Sequence, residues 1–248
     1  MTTTRARWTL LLATVWPLLA GCGDNDTEEA AGPESWGTQT FRMQISAASW
    51  TQPPGWGAEI GDFVPEFVFS TGALTADSLE VTIATTDATG AQQPCNPTAT
   101  VTAATSSFPS SVLGPIDFPL YLKHIREDVA VIGTVRSMTL TNVLPGGAAK
   151  AGELTGVLDF REIYPMFTVL MPPSPENACN ALTDTGVTCE ACPQDGEPFC
   201  VSIKAVRLDA LAGTPMTLAP VARGSVDAAA CGLDGPEQPV DPSGDIQS

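Results

Sequence analysis

Histidine is almost missing from this chain: His124 is the only one in 248 residues. That excludes a His-rich metal site. Basic side chains are scarce too, 11 Lys and Arg against 28 Asp and Glu, for a formal charge of −17. Without a basic stripe to meet phosphates, nucleic acid and anionic lipid surfaces are excluded as partners of the folded body. Charged residues make up only 16% and apolar residues 43%, a balance that excludes a disordered chain. No apolar run reaches the ~18 residues of a spanning helix. Nucleophile elbows (GxSxG), HExxH and SxxK motifs and phosphate-cradling glycine loops are also lacking. No catalytic residue, metal site or cofactor is therefore assigned.

The N-terminus carries an address. Residues 1–21 combine Arg5 and Arg7 with a short apolar stretch from Trp8 to Ala20 that Pro17 interrupts, the pattern of a cleaved signal peptide. Leu19-Ala20-Gly21-Cys22 resembles the lipobox of bacterial lipoproteins, in which the cysteine is diacylated and becomes the first residue. The resemblance implies lipidation at Cys22 and a membrane partner reached through that anchor. Cleavage would remove Arg5 and Arg7 and no acid, so the mature chain is more acidic still, and multiple acyl chains hold it without basic help. In the sorting pattern of enteric lipoproteins, Asp directly after the lipidated Cys favours the inner membrane. Here Gly23 fills that position and Asp24 follows, so the expected location is the outer membrane.

Residues 22–38 read as an acidic tether that like charges extend. Asp24, Asp26, Glu28 and Glu29 lack the glycine and distal Glu of a calcium loop. Residues 232–248, rich in Pro, Gly and Asp, read as a disordered tail. Between them, 39–231 reads as one β-rich domain. Phe41, Met43 and Ile45 alternate with polar neighbours, as do Leu79, Val81 and Ile83, and Leu154, Leu158 and Phe160. Residues 129–144 place apolar side chains on both parities, as a long central strand does, and 151–160 is its expected hairpin partner. A phase change between Ile203 and Val206 predicts a bulge near Ala205. With 22 Pro and 22 Gly, the expected fold is an all-β antiparallel sandwich or distorted barrel with little helix. One short helical turn is expected at DFREI, capped by Asp159 and stopped by Pro165.

Six cysteines follow Cys22: Cys95, Cys179, Cys189, Cys192, Cys200 and Cys231. An even number in an exported chain implies disulfides. The expected pairing is two bridges inside the 179–200 cluster and a third from Cys95 to Cys231. A redox pair at Cys189 and Cys192 is disfavoured because turn residues, not a helix, follow Pro193. A four-thiolate zinc knot from Cys179, Cys189, Cys192 and Cys200 is disfavoured by a single CxxC and an oxidising compartment.

His124 shares a strand face with Leu120 and Leu122 and reads as a hydrogen-bonded, partly buried side chain. Asp159, Arg161 and Glu162 read as a local ion pair fixing a strand-to-turn junction. Between Trp50 and Phe69, aromatics sit among Pro and Gly. Trp50, Trp56 and Phe63 are the candidate contacts to a protein, sugar or lipid ligand, and core packing is the competing reading. FPLYLKHI (118–125), DFREIYPMF (159–167) and CPQDGEPFC (192–200) resemble segments of predicted lipoproteins of myxobacteria, which implies an address and disulfides but no activity. The expectation is a membrane-anchored envelope lipoprotein acting as a non-enzymatic structural or binding module. The alternatives are a carrier of a hydrophobic ligand in a β cavity lined by 129–144, and a secreted hydrolase using His124 or a carboxylate pair.

Overall fold

The computed structural model describes residues 36–56, 66–104, 111–123, 129–144, 152–166 and 174–233. The expected signal segment with Cys22, nearly all of the expected tether, Phe63, His124 and the residues after 233 lie outside the described residues.

Among the described residues, ten strands form two antiparallel sheets. They are β1 (Thr40–Gln44), β2 (Ser49–Gln52), β3 (Glu66–Leu74), β4 (Ser78–Thr85), β5 (Ala99–Ala104), β6 (Val112–Lys123), β7 (Ala130–Thr141), β8 (Gly152–Asp159), β9 (Cys200–Leu208) and β10 (Leu211–Ala212). One sheet runs β10-β1-β3-β4-β5 and the other β2-β9-β8-β7-β6. The sheets pack face to face as a sandwich, not a closed barrel. Period-two alternation explains this directly: Phe41, Met43, Phe67, Phe69, Val81 and Ile83 of one sheet meet Phe118, Leu120, Val135, Leu140, Leu158 and Ile203 of the other in one core. Phe67 and Phe118 touch across the sheets edge to face, with ring centroids 5.2 Å apart.

The residues from Trp50 to Phe69 are not one loop. Trp50 belongs to β2, and Phe67 and Phe69 belong to β3, where both are fully buried. β7 pairs with β6 and β8, as its central pattern requires. Its double-sided apolar run has two separate causes. Val131, Val135, Met138 and Leu140 face the main core, while Ala130 and Ile132 face outward into a second small core with Tyr121, Cys95 and Cys231. Both apolar faces are thus covered by the chain itself.

The bulge in β9 falls at Arg207, two residues beyond the expected Ala205. Ala205 still points inward and is fully buried, whereas Arg207 has φ +63°, and the register against β8 shifts between the pairs Val206 with Glu153 and Leu208 with Gly152. A second irregularity marks the middle of β6 and β7. Gly114 sits at φ +107°, with the Met138 carbonyl oxygen 2.3 Å from where a Cβ would be, so only glycine fits. Opposite it, Ser137 takes φ +49° and donates its backbone N–H to the Asp117 carboxylate at 2.9 Å.

Three helices complete the described residues. α1 (Phe160–Ile163) is the expected turn, capped by Asp159 and continued by a 3-10 turn over Tyr164–Met166. Ile163 of α1 sits so close to β7 that a Cβ on Gly133 would lie 2.5 Å from its Cγ2. α2 (Pro175–Thr183) is an addition to the expected elements. Its start carries a complete local signal: Ser174 caps it by accepting from the Asn177 N–H at 3.2 Å, Pro175 opens it and Glu176 lies in its first turn. α3 (Ala228–Cys231) is one turn capped by Asp227.

Candidate functional site: a disulfide-braced ionic clamp at the end of the second sheet

β8 ends where α1 begins, and Asp159 serves both. Its carboxylate accepts the Arg161 backbone N–H at 3.0 Å and grips the Arg161 guanidinium with both oxygens, Nε to Oδ1 at 2.9 Å and Nη2 to Oδ2 at 2.6 Å. Asp159 is only 3% exposed, so its charge requires such a partner. The other edge of Arg161 donates to Asp195 at 2.5 Å. Asp159 hydrogen bonding, followed by that of Asp195, pushes the Arg161 pKa up despite the opposing effect of burial. Asp195 is held below the usual carboxylate range, first by the hydrogen bond from Arg161 and then by the Glu197 backbone N–H.

Asp195 sits in a loop closed by Cys192–Cys200, a bridge of sequence separation 8. The loop is braced further by the Cys192 N–H on the Glu197 carbonyl, by paired backbone bonds between Glu190 and Cys200, and by the Ser202 hydroxyl on the Glu190 carboxylate. Cys179 on α2 is bridged to Cys189, separation 10, tying the helix to the start of the same loop. The remaining bridge joins Cys95 to Cys231 over 136 residues. Cys189 and Cys192 therefore belong to different disulfides and form no redox pair, and the four thiolates of a zinc knot are spent in two bridges. Asp159 with the Cys192 and Cys200 sulfurs is a close-set trio. In the oxidised chain, however, its sulfurs are bonded to each other and its carboxylate is held by Arg161.

A second arginine repeats the motif. Arg136, beside the β7 bulge, donates to Glu162 of α1 at 2.6 Å and to Asp117 of β6 at 3.3 Å. Arg136 Nε and Glu162 Oε2 are buried and have no hydrogen-bond partner among the described residues. Each guanidinium thus bridges two carboxylates drawn from different elements. Such an arrangement fixes the junction of β6, β7, β8, α1 and the disulfide loop.

Trp56 packs on this junction, with its ring centroid 6.2 Å from that of buried Phe160. Trp50 is half-buried, and its indole N–H donates to the Ile45 carbonyl at 3.3 Å. Both flank the main core, so packing accounts for much of each ring. The expected pairing of Asp159 with Arg161 is present. Asp117, Arg136 and Asp195 carry no signal in the sequence, because their partners lie 19 to 34 residues away. No family model matches the chain, and neither a curated protein nor a solved structure is found similar to it.

Proposed function

We propose that this chain is an exported lipoprotein of the cell envelope. In this reading an acylated Cys22 and an acidic tether hold a disulfide-bonded β-sandwich at the outer membrane, where it acts as a non-enzymatic structural or binding module. One observation supports the reading most. All six cysteines after Cys22 are consumed in three disulfides, which leaves the lipobox cysteine as the odd thiol in a chain whose bridges suit an oxidising compartment. A lone thiol is a liability in such a compartment, and acylation removes it.

The ionic clamp supports a module built for rigidity. Each of its arginines bridges two carboxylates and its loop is closed covalently, so a surface presented there keeps its shape without a ligand. The carrier alternative rests on a two-sided β7 lining a cavity, and both faces of that strand are packed by the chain's own side chains. The test is mass spectrometry of the native protein extracted from its membrane without reduction. A chain beginning at acylated Cys22 is expected; an unmodified thiol at Cys22 overturns the proposal.

A further inference from the structure

We propose that residues 213–233 form a flap latched by Cys95–Cys231, and that reduction of this one bridge by a dithiol opens the flap while the sandwich stays folded. Beyond β10 the chain forms no further strand among the described residues. It crosses the first sheet through isolated ties: the Gly213 N–H to the Thr40 carbonyl at 2.8 Å, the Met216 N–H to the Thr40 hydroxyl at 2.9 Å, and the Gln92 side-chain amide exchanging two bonds with Ala219 at 2.7 and 2.8 Å. Val221 then pairs with Thr98 through the Thr98 N–H and hydroxyl. Most flap residues are exposed, and Cys231 alone is buried.

What the flap closes is separate from the main core. At its far end, Cys231 closes the small core of Cys95, Tyr121, Ala130 and Ile132, with Val226 and Leu233 packed against it. The Tyr121 hydroxyl donates to the Cys231 carbonyl at 2.7 Å. None of the pairings among β1 to β9 draws on residues 213–233. The flap is therefore a unit able to open on its own.

The chemistry is a two-electron exchange. A thiolate of the dithiol attacks one sulfur of the bridge and displaces the other. The reductant's second sulfur then resolves the mixed disulfide, so that the dithiol leaves oxidised and its two protons end on Cys95 and Cys231. The fate of the freed thiols separates this bridge from Cys192–Cys200. After reduction, Cys200 stays in β9 paired to Asp159, and Cys192 stays bonded to Glu197, so those thiols remain neighbours poised to close again. Cys231 stands on a single-turn helix that departs with the flap.

The test treats the mature chain, with its three bridges formed, with graded dithiothreitol, reading alkylated cysteines by mass spectrometry and amide exchange in parallel. The expected result is Cys95 and Cys231 reduced at a lower dithiol concentration than Cys192 and Cys200. Amide protection should then be lost over 216–231, with protease cleavage appearing inside 213–222, while β3, β4 and β8 stay protected. The Cys95→Ser/Cys231→Ser variant should show the open flap without reductant. A flap that keeps its protection after both cysteines are alkylated overturns the proposal, and so does loss of β3 and β4 protection in step with the flap.

Discussion

Replacing Arg161 by Met removes the guanidinium and keeps most of the apolar stem. Asp159 then stays at 3% exposure with the Arg161 backbone N–H but without either fork contact. Breaking a buried pair by deleting one partner costs about 3–5 kcal/mol, because a charge is left uncompensated. Arg161 itself is 29% exposed and the cap bond survives, so the lower end applies, about 3 kcal/mol. For a domain of this size that is a fall in Tm of roughly 6–12 °C. Asp195→Asn removes only the exposed half of the clamp and costs about 0–1 kcal/mol. Adding Asp159→Asn to Arg161→Met removes the stranded charge while an Asn oxygen still caps α1, so the double variant should recover about 2 kcal/mol of the single variant's loss. Urea unfolding followed by tryptophan fluorescence suits the measurement, because Trp56 packs on Phe160 at the same junction. Arg161→Met matching Asp195→Asn within about 0.5 kcal/mol would refute the clamp as a buried, charge-dependent device.

The same geometry sets three further outcomes. The Asp195 carboxyl has a folded pKa below its unfolded one, so its contribution is present at neutral pH and is lost as pH falls through the folded value; urea midpoints measured from about pH 5 to pH 2 should drop less steeply in Asp195→Asn than in the parent. Gly133→Ala drives a Cβ to 2.5 Å from Ile163 Cγ2 and should cost about 1–3 kcal/mol, and pairing it with Ile163→Ala should restore part of that loss in the same unfolding assay. Tyr121→Phe removes the hydrogen bond to the Cys231 carbonyl and should lower stability by about 1 kcal/mol; amide exchange should place its effect in 226–233 and spare β3 and β4.

The legible parts of this molecule are those whose cause is local. Alternation in Phe41 to Ile45, in Leu79 to Ile83 and in Leu154 to Leu158 marks strands because each residue's face follows from its parity. Asp159 before FREI marks a cap for the same reason. α2 has an equally local signal in Ser174-Pro175-Glu176, but its helix is short and embedded among cysteines and turn residues, which read together as a loop. The bulge at Arg207 is displaced from its expected place because Val206 is half-buried and blurs the phase change that locates it. The clamp is legible only in its Asp159 and Arg161 pair. Its remaining contacts join β6 to β7, β7 to α1 and α1 to the disulfide loop, and which carboxylate meets which arginine is decided by packing that no spacing encodes. The flap is illegible for a related reason: GTPMTLAPV has no period, and what holds it are single side chains far away in sequence, Thr40, Gln92 and Thr98.

In the proposed reading Cys22 is the one cysteine set apart, lipidated while the other six are paired. Intact and peptide-level mass spectrometry of the protein from its own membrane, alkylated but not reduced, tests it most directly. The expected result is acyl mass on an N-terminal Cys22 and disulfide-linked peptides for Cys95–Cys231, Cys179–Cys189 and Cys192–Cys200. An N-terminus lacking acyl mass, or alkylation at those six positions, would contradict it.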